Sequence, residues 1–255
     1  MSLVLQAGLW GMLSTFGLVV GAAIAVLFYE RLTHRVIAAV MGFGGGVLIA
    51  VLSIDLMEKA FSGGGPYPAA VGLLLGALAF SAFNWRLSCQ GAKHRNRCGG
   101  CVEQASEVNH RGSGLAIAFG AILDGIPESL VIGVSILEGG DIGVGLVAGF
   151  FLANVPQGLS STSGMKKAGR SACYIFLVCT AITVVSGLAA ALGAFSLGSS
   201  GPLVPAFMLA FAAGGVLAML AESMIPEAFE DSQPFIGLIT VLGFLAAFLA
   251  IKGAA

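Results

Sequence analysis

The chain has 255 residues, 57% hydrophobic and only 10% charged, with a formal net charge of −1 and a mean hydropathy of +0.97. A soluble domain carries roughly 25% charged residues, so this composition cannot build a wetted globular surface, and it has no charged tract that would signal disorder. A cytosolic enzyme and a basic nucleic-acid binder are excluded, and a polytopic membrane protein is what remains.

One crossing of a bilayer takes about 20 mostly apolar residues. Eight stretches qualify, at 7–29, 36–58, 67–85, 113–137, 142–164, 172–196, 203–226 and 234–251. They are continuously apolar, without the alternation of a membrane barrel, so the predicted class is all-α with eight transmembrane helices. The 38 glycines, roughly double the usual share, let such helices approach closely. The first stretch lacks a basic leader and is too long for a cleavable signal peptide. One transmembrane domain over 1–255 is expected.

Arg31 and Arg35 follow span one. Arg86, Lys93, Arg95, Arg97 and Arg111 separate spans three and four, and Lys166, Lys167 and Arg170 separate five and six. Only Lys59 and Lys252 fall elsewhere. Basic residues confined to alternate loops place those loops in the cytoplasm and both termini outside, as in a multi-pass protein of the cell membrane. Segment 86–112 is the one long polar loop; the other connections are short, such as Glu-Gly-Gly-Asp at 138–141.

Two repeats run through the spans. Gly45-Gly46-Val47-Leu48 in span two recurs as Gly214-Gly215-Val216-Leu217 in span seven, and the same shift of 169 carries Glu58 onto Glu227. Asp-Gly-Ile-Pro-Glu-Ser-Leu at 124–130 pairs with Ala-Asn-Val-Pro-Gln-Gly-Leu at 153–159, a shift of 29. Each match joins oppositely directed spans, which predicts a 3+2+3 inverted-repeat layout with spans four and five on the pseudo-twofold axis. Inverted repeats with proline-interrupted helices point to a secondary transporter.

Ionisable groups inside a bilayer cost at least ~2.5–3.5 kcal/mol each on insertion scales, so they are functional candidates. In span four Asp124 and Glu128 are four apart and share a face, and Pro127 frees the carbonyl of Leu123. In span five Asn154 and Gln157 are three apart, and Pro156 frees the carbonyl of Leu152. Two carboxylates, two amides and two carbonyls make an oxygen-rich midplane pocket suited to a divalent cation. Acids that merely bond neighbouring helices would fit a single buried polar residue better than this set. Asp55 and Glu222 are assigned as ligands where a cation enters and leaves. Glu58, Glu227, Glu230 and Asp231 lie close enough to water that interfacial solvation accounts for them equally well.

Spans four and five resemble the signature of the ZIP (Zrt/Irt-like) family of divalent metal transporters, His-Asn-x-Pro-Glu-Gly in the fourth helix and a related Pro-Glu-Gly in the fifth. Here these read Asp124-Gly125-Ile126-Pro127-Glu128-Ser129 and Asn154-Val155-Pro156-Gln157-Gly158. The chain departs from the family where Asp124 stands for histidine, Gly125 for asparagine and Gln157 for glutamate; Ala221-Glu222 resembles a His-Glu pair without the histidine. No histidine falls in a span, since the three are His34, His94 and His110. The resemblance implies a divergent member, with preference drawn from zinc toward manganese, iron(II) or magnesium by an all-oxygen site.

Cys98-Gly99-Gly100-Cys101 in the basic loop has metal-clip spacing, and Cys89, His94 or His110 could complete a tetrahedral site; a chance Cys-x-x-Cys is the competing explanation. Cys173 and Cys179 in span six read as small apolar fillers. The expected function is transport of zinc, iron or manganese into the cytoplasm by alternating access. The alternative is a non-transporting membrane metal sensor on the same fold. No His-Glu-x-x-His is present, so an enzyme is not expected. The partners expected are the transported metal ion, as substrate, the lipid bilayer and a second copy in a homodimer, with no nucleic acid.

Overall fold

The computed structural model describes residues 2–87, 89, 125–136, 144–197, 200–229 and 234–253. Among these residues the secondary structure is helical, without strands. The first span is α1 (Leu3–Thr15) and α2 (Gly17–Leu27); the second is α3 (His34–Ala50), a π-helical turn at Val51–Leu56 and α4 (Met57–Gly64). The third is α5 (Pro66–Leu87). A shorter apolar helix, α6, covers Gly125–Ile136, and the remainder of the expected fourth span lies outside the described residues. Then come α7 (Val144–Lys167), α8 (Ala172–Leu197), α9 (Leu203–Met219), a π turn at Leu220–Met224 with α10 (Ile225–Phe229), and α11 (Ile236–Gly253). Seven of these rods are long and apolar enough to cross a membrane. The chain is an all-helical polytopic membrane protein.

Local chemistry sets several ends. Ser2 and Thr33 cap α1 and α3 by accepting from the amides of Leu5 and Val36. Gly65, at φ 76° and ψ −176°, ends α4 in a conformation open to glycine alone, and Pro66 then starts α5 with its φ already helical.

The outer helices carry their large apolar residues outward. Leu238, Val241, Leu242, Leu245 and Leu249 of α11 are exposed at helical spacing, as are Leu188, Leu192 and Phe195 of α8. Such a surface is stable against hydrocarbon and not against water. The core is the opposite case: α7 is the most enclosed crossing, 67% buried against 17% for α11, and its Phe150 belongs to the same fully buried core as Met41, Leu48, Ile132, Leu209 and Leu220.

Glycines fix the neighbours and their directions. Gly17 and Gly21 meet the α7 backbone at Phe151 and Val155; Gly72 and Gly76 meet α9 at Phe207 and Phe211; Gly42 and Gly46 meet α11 at Ile236 and Thr240. Both numbers rise together in each pair, so those helices are parallel. Gly125 and Gly133 face Ser186 and Ala190, making α6 parallel to α8, whereas Gly8 and Gly11 meet Ala191 and Ala190 in descending order, making α1 antiparallel to α8. These directions are those of alternating crossings. They also obey the repeat: exchanging spans one and six, two and seven, three and eight, four and five maps the pair 1–5 onto 4–6, the pair 3–7 onto 2–8, and the pair 1–6 onto itself. The two π turns begin at Val51 and Leu220, again 169 apart.

Candidate functional site

α7 brings the polar groups together because it carries Asn154, Gln157 and Ser160 at three-residue steps, all buried. Pro156, between them, packs on α3, where a Cβ added at Gly44 would lie 2.7 Å from its Cγ. Pro127 of α6 packs likewise on α9, 3.0 Å from a Cβ built at Gly215. Both of these prolines therefore rest on a glycine of a repeat helix, which allows the two axial helices to sit close to both halves of the bundle.

Glu128 is 0% and Asn154 1% exposed. Asn154 Nδ2 donates to Glu128 Oε2 at 2.6 Å, to the Phe150 carbonyl at 2.9 Å and, at 3.4 Å, to the Ser14 carbonyl of α1. A carboxylate in an apolar bundle is thus held at the junction of α1, α6 and α7. Asp124, expected on the same face as Glu128, lies outside the described residues, as do Cys98, Cys101, His94 and His110. Among the described residues no three His, Cys, Asp or Glu side chains converge. Glu128 is met by the Asn154 amide.

Gln157 turns elsewhere. Its Nε2 lies 3.5 Å from Met224 Sδ in the second π turn. One turn further along, Ser160 Oγ donates to Glu227 Oε1. Glu227 corrects the sequence reading: interfacial solvation was an adequate account of it, yet it is 1% exposed. The signal lay in α7, whose polar stripe continues past Gln157 to Ser160 and requires a partner on the facing helix.

The remaining acids sit nearer the surface. Asp55 is paired with Lys59 on its own helix, Nζ to Oδ1 3.0 Å, and Glu58 lies 3.9 Å from Lys252. The two basic residues that fell outside the basic loops are therefore the counter-charges of these two acids. Glu222 is exposed and faces α5, accepting from Ser81 Oγ and Asn84 Nδ2. Of the two cysteines of α8, Cys173 is exposed and Cys179 buried, so the filler reading holds for Cys179; Cys89, of the loop group, is exposed.

No family model matches the chain. Over 125 residues it is 30% identical to the mouse zinc transporter SLC39A7, an alignment covering 46% of this chain and 26% of that protein. The chain thus spans about a quarter of the length of that relative.

Proposed function

We propose that the chain carries a divalent metal cation, zinc, iron(II) or manganese, across the membrane into the cytoplasm by alternating access, as a divergent relative of the ZIP transporters. The observation that carries this reading is the fully buried Glu128 carboxylate, held by Asn154 between two proline-bearing helices on the axis of an inverted-repeat bundle. A charge so placed is costly in lipid and is retained where it binds something. Similarity to a zinc transporter supports a metal as that cargo.

In this reading Glu128 supplies the charge that replaces the cation's water. Asn154 turns its amide so that Oδ1 faces the ion, and Asp124 adds the second carboxylate one turn earlier. Oxygen donors favour manganese and iron(II) over softer ions. Glycine seats under Pro127 and Pro156 let the axial helices shift against α3 and α9 without side-chain collisions. The basic loops orient the path toward the cytoplasm.

The test is flux. Purified protein in liposomes should take up zinc, iron(II) or manganese in a saturable way, and absence of uptake for all three overturns the reading. Asn154→Asp gives a further check. It sets a second carboxylate against Glu128, so repulsion should lower the unfolding temperature in chelator, and added manganese should restore it beyond the wild-type gain. A metal-induced gain no larger than wild type would remove Asn154 from the ligand set.

A further inference from the structure

The path described so far uses Glu128 and leaves a second buried carboxylate without a task. Glu227 is 1% exposed, and Ser160 Oγ donates to it from α7. One turn earlier Gln157 Nε2 reaches Met224 Sδ at 3.5 Å. The contacts advance by three residues on both helices, so two parallel helices face each other with a carboxylate, a hydroxyl, an amide and a thioether on adjoining turns. We propose that Gln157, Ser160, Met224 and Glu227 form a second divalent-cation station. It lies about 9 Å beyond the first along α7, taking about 1.5 Å per residue from Asn154 to Ser160, and on the cytoplasmic side. This rests on the transport reading above.

The donor set argues for a cation more than for a plain helix bridge. A serine–carboxylate bridge alone would need no sulfur beside it, and the apolar neighbours of Met224 would pack as well against leucine. A thioether next to hard oxygens instead suits a borderline ion such as zinc or iron(II), and distinguishes this station from the Glu128 carboxylate and Asn154 amide of the first. Gln157 lies between the two. It shares a face of α7 with Asn154 and with Ser160, and its amide oxygen and nitrogen can exchange places by rotation about one bond.

The inverted repeat sharpens the point. The shift of 169 maps Glu227 onto Glu58, whose side chain is 65% exposed and lies near Lys252. The shift of 29 maps Ser160 onto Val131, which is buried and has no donor atom. The same shifts map Met224 onto Asp55 and Gln157 onto Glu128. The equivalent outer positions therefore carry carboxylates at Asp55, Glu58 and Glu128 and neither hydroxyl nor sulfur, so the mixed oxygen–sulfur donor set belongs to the inner half.

The experiment uses the full chain, with anomalous scattering from zinc-soaked crystals and zinc and manganese flux in liposomes. The wild type should show one zinc at Glu128 and a second among Ser160, Met224 and Glu227. Glu227→Gln should lose the inner zinc, keep the outer one and slow zinc flux at least tenfold. Met224→Leu keeps the carboxylate and hydroxyl and should fold normally, yet shift the zinc-to-manganese flux ratio at least threefold toward manganese. Wild-type zinc flux in Glu227→Gln, or an unchanged ratio in Met224→Leu, overturns the second station while leaving the transport reading intact. Absence of flux in the wild type overturns both. Should Glu227→Gln fail to fold, the Met224→Leu ratio alone decides.

Discussion

Glu128→Gln is expected to reduce metal uptake to the level of empty liposomes while the protein remains folded. Glutamine keeps the shape of the side chain, and its amide oxygen can still accept from Asn154 Nδ2, now 2.6 Å from Glu128 Oε2. The fold should therefore survive, and its unfolding temperature should stay level or rise, because a buried charge has been replaced by a neutral group. Binding is another matter. A divalent ion that sheds water inside a bundle of low polarity must recover the loss from charge, and attraction there is several-fold stronger than in water. Removing that charge should weaken binding by at least ~3 kcal/mol, about a hundredfold, given such a dielectric. Uptake at the wild-type rate in a folded Glu128→Gln protein would exclude this carboxylate from the path. Loss of uptake together with loss of folding would assign it a structural role instead.

What could be read in advance followed from one-dimensional signals. Apolar run length gave the crossings, and the shift of 169 between Gly45 and Gly214 reappears in the starts of the two π turns, Val51 and Leu220, which the sequence itself did not announce. The prolines at 127 and 156 marked the helices that sit on the axis. Lateral partners were not legible. Glu222 finds Ser81 and Asn84 across 141 and 138 residues, and no periodicity announces a contact between separate helices. Glu58 and Glu227 show the limit most clearly. They occupy one repeat position, so the sequence treats them alike, whereas the fold exposes the first beside Lys252 and buries the second against Ser160. Distance from a helix end is a poor measure of depth when the neighbouring helix extends further. Lys59 and Lys252 were outliers to the charge pattern until the structure set them beside Asp55 and Glu58.

Gly76→Ala should cost more stability than any other single-methyl change on the outer helices. A Cβ at Gly76 would run into the carbonyl oxygen of Phe211, and one at Gly214 into that of Leu73, so α5 and α9 are interlocked backbone to backbone. The same seating joins α3 to α11 through Gly46 and Gly243, and α2 to α7 through Gly21 and Gly158. In lipid there is no hydrophobic drive between helices, and close van der Waals contact at small residues holds them together. A carbonyl oxygen in a helix cannot swing aside as a side-chain tip can. The helices must separate, and every contact along the seam weakens, at the upper end of the ~1–3 kcal/mol typical of overpacking or beyond it. The sign is diagnostic, since intrinsic helix propensity favours alanine over glycine by ~1 kcal/mol and would stabilise the variant if the seam were loose. Gly237→Ala in α11, with nothing within 4 Å of the added carbon, is the matched control and should be neutral or slightly stabilising. Thermal unfolding of both variants in detergent settles it: a Gly76→Ala transition at or above the wild-type temperature would mean that α5 is held by its lipid-facing surroundings and not by this seam.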